Sequence, residues 1–124
     1  YAAYINDPMA EVTRYTHKEE LAFRFMHYII EEHSPDKDVT YYARKLGLSA
    51  KSLTNLIRSI SGQSARDWIV FYTIFEIKTL LRDSSLDIKA IAARTHFPDH
   101  ATLSRYFRRY TGMTPTKYRE SFFF

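Results

Sequence analysis

Residues 98 to 115 read PDHATLSRYFRRYTGMTP, and Arg105, Arg108 and Arg109 fall within one short stretch of helical spacing. Guanidinium groups set this close either decorate a solvated helix face or meet a polyanion, because their planar N–H forks match phosphates and base edges. A second polar stretch lies earlier, where Lys51, Ser52, Thr54 and Asn55 are followed by Arg58. Together these groups supply donors and acceptors for a nucleic acid rather than a nucleophile with its base. Other chemistries find no support. Cysteine is absent, so thiolate ligands and disulfides are excluded. Of the five histidines, His27 and His33 are too far apart to share a helix face, and His96 and His100 flank Pro98 at a turn. No helical zinc pair results. The three glycines, Gly47, Gly62 and Gly112, are too scattered for a phosphate loop, and no serine stands in a nucleophile elbow. No metal, no cofactor and no enzyme activity is expected.

Charge favours the polyanion. Net charge is +4, but residues 1–38 hold 4 Lys/Arg against 8 Asp/Glu, while residues 39–124 hold 14 against 6. A basic body behind an acidic leading segment suits a polyanionic partner for the body alone. At 124 residues the chain makes one domain, or two small lobes sharing a core, and its 45% hydrophobic content is ample for a packed interior. No apolar run approaches the roughly 18 residues of a membrane helix, and no secretory leader is visible. With cysteine absent as well, a cytoplasmic setting is expected. The chain opens at Tyr1 rather than methionine and is read as a fragment with a preceding part.

The elements that must position these groups can be read from caps and periodicity. Residues 1–16, with Asn6-Asp7-Pro8, show no clear period and are read as a linker or arm. Thr16 and Glu19 make a capping box for a helix whose apolar positions Leu21, Ala22, Phe25, Met26, Ile29 and Ile30 follow helical spacing. SPDKD at 34–38 breaks it. A short helix over about 40–46 ends at Gly47, and Ser49 caps another over about 50–60 that stops near Gly62. Ser64 then caps a long helix to about Arg82. Its apolar residues Trp68, Ile69, Tyr72, Phe75, Ile77, Leu80 and Leu81 wrap much of its surface, so burial against both lobes is expected. Asp87 caps IKAIAART, Asp99 caps the arginine-bearing helix, and Thr114-Pro115 begins a last one. No segment alternates like a strand. The expected class is all-α.

The two halves repeat. Val39 matches Ile88, Ala43 matches Ala92, and Leu48 matches Phe97, each 49 residues apart. Beyond the turn the offset becomes 50, pairing Leu53 with Leu103, Ile57 with Phe107, Gly62 with Gly112, Ser64 with Thr114, and Trp68 with Tyr118. The single extra residue falls in the turn, where insertion costs least. Two helices crossing steeply need a small residue at the crossing, which Ala43 and Ala92 supply. The second helix of each unit is anchored by Leu53 and Ile57, or by Leu103 and Phe107, leaving its N-terminal face free of core duty. This is the helix-turn-helix arrangement, whose second helix enters the major groove of DNA. The helix between the copies, 64–82, would span roughly 28 Å, close to the ~34 Å between successive groove faces. The expected layout is an N-terminal helix with a first lobe and connecting helix over 17–82, then a second lobe over 83–124. A duplicated helical hairpin serving only protein interaction is the alternative.

The stretches YYARKLGLSAKSLTNLIRSISGQSARDWI and IAARTHFPDHATLSRYFRRYTGMTPTKYR resemble the AraC-type family of bacterial transcription regulators, over about residues 17–120. The run F-x-D, L-S-R-x-F, T-G-x-T-P and Y-R is similar to that family's C-terminal signature. The resemblance implies a paired helix-turn-helix module that binds double-stranded DNA. It also implies an N-terminal effector or dimerisation domain in the full chain, and RNA polymerase as a partner if the regulator activates. Lys51, Ser52, Thr54 and Asn55 match base-contacting positions of the first unit. His100, Ala101, Thr102, Ser104 and Arg105 form the corresponding face of the second. Asn55 could read adenine, Lys51 guanine or phosphate, and Arg105 is the best candidate for guanine. Arg58, Lys117 and Arg119 are expected at phosphates, as are backbone N–H groups after Ser64 and Thr114. Arg108 and Arg109 are phosphate contacts or surface charges. The sequence departs from the family at His96, where glycine is usual and a strained or reshaped turn is expected. It departs again at Thr73 and Ile77, where arginine and a small residue are common.

Overall fold

The computed structural model describes residues 16–123, so all of the arm read at 1–16 except Thr16 lies outside the described residues, as does Phe124 of the terminal SFFF. Among the described residues seven helices follow one another: α1 (His17–Glu32), α2 (Val39–Lys45), α3 (Ala50–Ser61), α4 (Ala65–Leu81), α5 (Ile88–Arg94), α6 (His100–Thr111) and α7 (Pro115–Phe123). The fold is all-α.

Each start is fixed by a local hydrogen bond. Thr16 accepts from the Glu19 N–H at 3.1 Å, and the Glu19 carboxylate accepts from the Thr16 N–H at 2.8 Å. Asp38, Ser49, Ser64, Asp87 and Asp99 cap α2 to α6 by accepting the N–H three residues on, which satisfies one of the open donors of a helix end. Thr114 does the same for Lys117 at 3.1 Å. The helices α3 and α6 also end alike. Ser61 donates to the Ile57 carbonyl at 2.8 Å, and Thr111 to the Phe107 carbonyl at 2.7 Å.

Two cores form. Leu21, Phe25, Ile29, Tyr42, Leu53 and Ile57 centre the first. Ile77, Leu81, Ile91, Phe97, Leu103 and Phe107 centre the second. α4 serves both, because Ala65 and Ile69 enter the first cluster while Ile74, Ile77 and Leu81 enter the second. The cover differs: α1 packs over the first lobe. The second is closed by α7, with Pro115 buried and Tyr118 edge-on to Phe107 at 5.7 Å.

Two expectations change in detail. The turn at His96 keeps the shape of its glycine counterpart: His96 has φ 65 and Gly47 has φ 72. The closing bonds match, from Leu48 N–H to the Ala43 carbonyl at 2.8 Å and from Phe97 N–H to the Ala92 carbonyl at 2.9 Å. Histidine is therefore held in the left-handed region that its Cβ disfavours. Phe75, expected inside, is 56% exposed. The lobes cover one side of α4 only, through Ala65, Ile69, Thr73, Ile77 and Leu81, and Phe75 faces away.

Candidate nucleic-acid interface

The N-terminal ends of α3 and α6, the two tips, both stand outside the cores. In α3, Leu53 and Ile57 are buried while Lys51, Ser52, Asn55 and Arg58 are exposed and Thr54 is half-buried. Ser52 carries a bond from the Ser49 hydroxyl at 2.9 Å, so the cap also orients the tip. In α6, Leu103 and Phe107 are buried while His100, Ala101 and Arg105 are exposed and Thr102 and Ser104 are half-buried. Arg105 donates from Nη2 to the Thr102 hydroxyl at 3.3 Å, which aims its fork along the N-terminal face of the helix. The Asp99 cap is ionised in this setting. The Thr102 N–H bonded to it holds its carboxyl below the usual range, helped by the Thr102 hydroxyl and by nearby Arg105 and His100.

The cations expected at phosphates divide by what already holds them. Arg108 is exposed beyond the tip, and Arg109 lies over the neighbouring Tyr110 ring at 5.4 Å. Lys117 is exposed at the start of α7. Arg119 is half-buried and donates to the Leu81 carbonyl at 3.0 Å and the Asp83 carbonyl at 3.2 Å, closing the C-terminal end of α4. The hydroxyls of Ser64 and Thr114 are taken by their own caps, which leaves backbone N–H groups in the first turns of α4 and α7.

What places α6 against the rest of the molecule was not visible in the sequence. Arg66, in the first turn of α4, donates to the Tyr110 hydroxyl at 2.8 Å across 44 residues. Tyr106 packs on Phe97 at 5.4 Å and on Tyr110 at 4.9 Å. Burial raises its phenol above the ordinary range, opposed by the neighbouring Thr73 hydroxyl. Thr73, one of the departures, is buried beneath α6. On the first lobe His33 ties α1 to α4, with Nδ1 2.9 Å from the Ile29 carbonyl and Nε2 3.0 Å from the Glu76 carboxylate. The Glu76 bond raises the His33 pKa above the ordinary value against the opposing effect of burial. Among the described residues no cluster of three or more potential metal ligands occurs, and no helix is long and apolar enough to cross a membrane.

A family model described as a helix-turn-helix domain matches residues 42–121, which takes in most of the first unit and the second. The chain belongs to the AraC-type helix-turn-helix family. That family comprises DNA-binding domains of transcription regulators and is not a class of enzyme. Among AraC-type relatives, the HTH-type transcriptional activator RhaR of Yersinia pseudotuberculosis is 36% identical over 85 residues, which is 68% of this chain and 29% of RhaR. RhaR of Cronobacter sakazakii is 32% identical over 83 residues, covering 67% and 29%. This chain therefore spans 29% of the length of these relatives. Two solved structures share the fold. The C-terminal domain of AraT, a response regulator from Geobacillus stearothermophilus, superposes with a TM-score of 0.75 at 22% identity, over 86% of this chain and 88% of that one. The DNA-binding domain of the transcriptional factor AdpA, solved with a target DNA, gives 0.63 at 23% identity, over 85% and 91%.

Proposed function

We propose that the chain reads double-stranded DNA by sequence, with α3 and α6 entering successive major-groove segments from one side of the duplex. The observation that carries this reading is the repeated geometry. Two matched helices each bury their anchors in a separate core and present an uncovered polar N-terminal face. Lys51, Ser52, Thr54 and Asn55 contact bases in one segment; His100, Ala101, Thr102, Ser104 and Arg105 do so in the other. Arg58, Arg108, Arg109 and Lys117 contact phosphates, as do N–H groups after Ser64 and Thr114. Arg119 reaches phosphate only with what its two carbonyl bonds leave free. Such contacts fix register on the duplex, while base contacts give sequence preference.

The working units are residues 17–82 and 83–124, following a linker or arm at 1–16. The complete protein is a cytoplasmic bacterial regulator with an N-terminal effector or dimerisation domain, and it engages RNA polymerase if it activates. Selection from a random duplex pool, followed by mobility-shift titration over a salt series, tests the central claim. Enrichment of a bipartite sequence is expected, with log K falling by about 0.9 per log salt for each phosphate contacted. A helical protein-interaction module would enrich no sequence.

A further inference from the structure

α4 has two sides of different character. One side fills the cores. The other carries Asp67, Phe71, Phe75 and Lys78 at helical spacing. Phe71 and Phe75 are 55% and 56% exposed, and their rings stack at 6.2 Å with planes 13° apart. Trp68 and Tyr72 brace Phe71 edge-on, each at 5.8 Å. Phe71 forms a ridge between two shallow apolar hollows. One is walled by Val70, Ile74, Phe75 and Tyr110, the other by Gln63 and Trp68. The exposed Phe71 and Phe75, flanked by the half-buried Trp68 and Tyr72, make the kind of patch that marks an interaction surface.

We infer that this stripe is a two-fold contact with a second copy of the same chain. The stripe is acidic at its N-terminal end, at Asp67, and basic at its C-terminal end, at Lys78. A parallel pairing would set like charges together. An antiparallel pairing centred at Thr73 sets Phe71 opposite Phe75 of the second copy, twice over, and brings Asp67 beside Lys78 of the second copy, twice over. That is the self-complementarity an isologous contact requires. Both charges stand at the stripe's edges: Asp67 accepts from the Ser64 N–H at 3.3 Å, and Lys78 lies over the Tyr118 ring at 5.4 Å. Each ridge then enters the hollow beside Val70 and Ile74 of the other copy.

The contact leaves the reading tips clear. Tyr110 borders the stripe from the last turn of α6, and His100 lies about 15 Å away along that helix at 1.5 Å per residue. Gln63, just past α3, borders it from the other lobe, and Lys51 lies about 18 Å back. A pair of copies therefore presents four tips. One helix face buries less than the ~1,200 Å² of a standard interface, so the free chain pairs weakly and reversibly.

Sedimentation equilibrium of the 124-residue chain, from about 10 μM to about 1 mM without DNA, tests this pairing. Phe71→Glu and Phe75→Lys change residues that are more than half exposed, and circular dichroism checks that each variant keeps its helices. A monomer–dimer equilibrium is expected for the unaltered chain, with each variant weakened at least about tenfold, or 1.4 kcal/mol. An equimolar mixture of the two variants should pair more strongly than either alone, because the new carboxylate of one faces the new ammonium of the other while the remaining rings still meet. A monomeric unaltered chain overturns the inference. So does pairing that survives both substitutions, and so does a mixture no stronger than its components. DNA binding by the variants is read separately, so failure here leaves the DNA-reading proposal standing.

Discussion

The two helix-turn-helix units have matching backbones and anchors, yet they differ at most of the positions that face outward. The first is capped by Ser49, opens its tip with Lys51, and carries Asn55 where the second has Arg105. The second is capped by Asp99, puts Ala101 in place of Lys51, and follows Arg108 with Arg109 where the first has Ser59. In the interiors the anchors stay apolar, Leu53 with Leu103 and Ile57 with Phe107. Buried positions are held by packing, whereas the exposed N-terminal faces make only local bonds, from Ser49 to Ser52 and from Arg105 to Thr102. Under the proposed function, a duplicated frame with divergent tips would read two different half-sites.

The largest expected effect comes from breaking one frame and not the other. Phe107 is fully buried and edge-on to Tyr118. Phe107→Ala should cost about 3–5 kcal/mol in a urea unfolding series, through lost burial and the cavity left behind. Leu53→Ala in the first lobe should cost about 2–5 kcal/mol. Because α4 serves both cores, each change should shift the unfolding of the whole chain; two separate transitions would show that the lobes fold alone.

The tips come next. Arg105→Ala should remove about 1–3 kcal/mol of discrimination at one base position in the second half-site. Asn55→Ala should do so at one position in the first. Binding-site selection with each variant measures both. Uniform weakening on every sequence would instead make the residue a phosphate contact.

The turns offer a sharper comparison at about 1 kcal/mol. Gly47 has φ 72, and a Cβ there would meet nothing within 4 Å, so Gly47→Ala tests backbone conformation alone. It should destabilise by about 1 kcal/mol. His96→Gly should gain up to about 1 kcal/mol by relieving the same conformation in the second unit. Thermal unfolding of the two variants should shift in opposite directions.

Smaller still, Tyr42 is buried with its hydroxyl unpaired among the described residues, and burial raises its phenol well above the ordinary range. The matching position in the second unit is apolar, Ile91. Tyr42→Phe should therefore be neutral or stabilise by up to about 1 kcal/mol in denaturant titration.

The last difference is a pH-sensitive tie that, among the described residues, occurs in the first lobe and not the second. His33 has its pKa raised by Glu76, so the bond stabilises the fold fully below the unfolded value of about 6.5. That stabilisation is lost as pH rises through the raised folded value. Denaturant midpoints should accordingly fall as pH rises past about 6.5, and Glu76→Gln should flatten that part of the profile.

Local chemistry explains what the sequence disclosed and what it withheld. The caps at Ser49, Ser64, Asp87 and Asp99 bond only three residues away, so their positions announce them. The repeat emerged because anchors and small crossing residues recur at a fixed offset. Which side of α4 faces out did not emerge, since apolar residues run around the whole helix and Phe75 reads like Ile77. The Arg66–Tyr110 and His33–Glu76 bonds join residues 44 and 43 apart, and only the folded chain brings them together. Both matter to the site, because they fix the helices that carry or support the tips.

A hydroxyl-radical footprint on the selected duplex tests the central claim most directly. The account predicts two protected segments on one face of the DNA, about 10 base pairs apart, for each bound chain. Arg105→Ala should change sequence preference in only one of them. A single protected segment per chain, or protection indifferent to sequence, would contradict it.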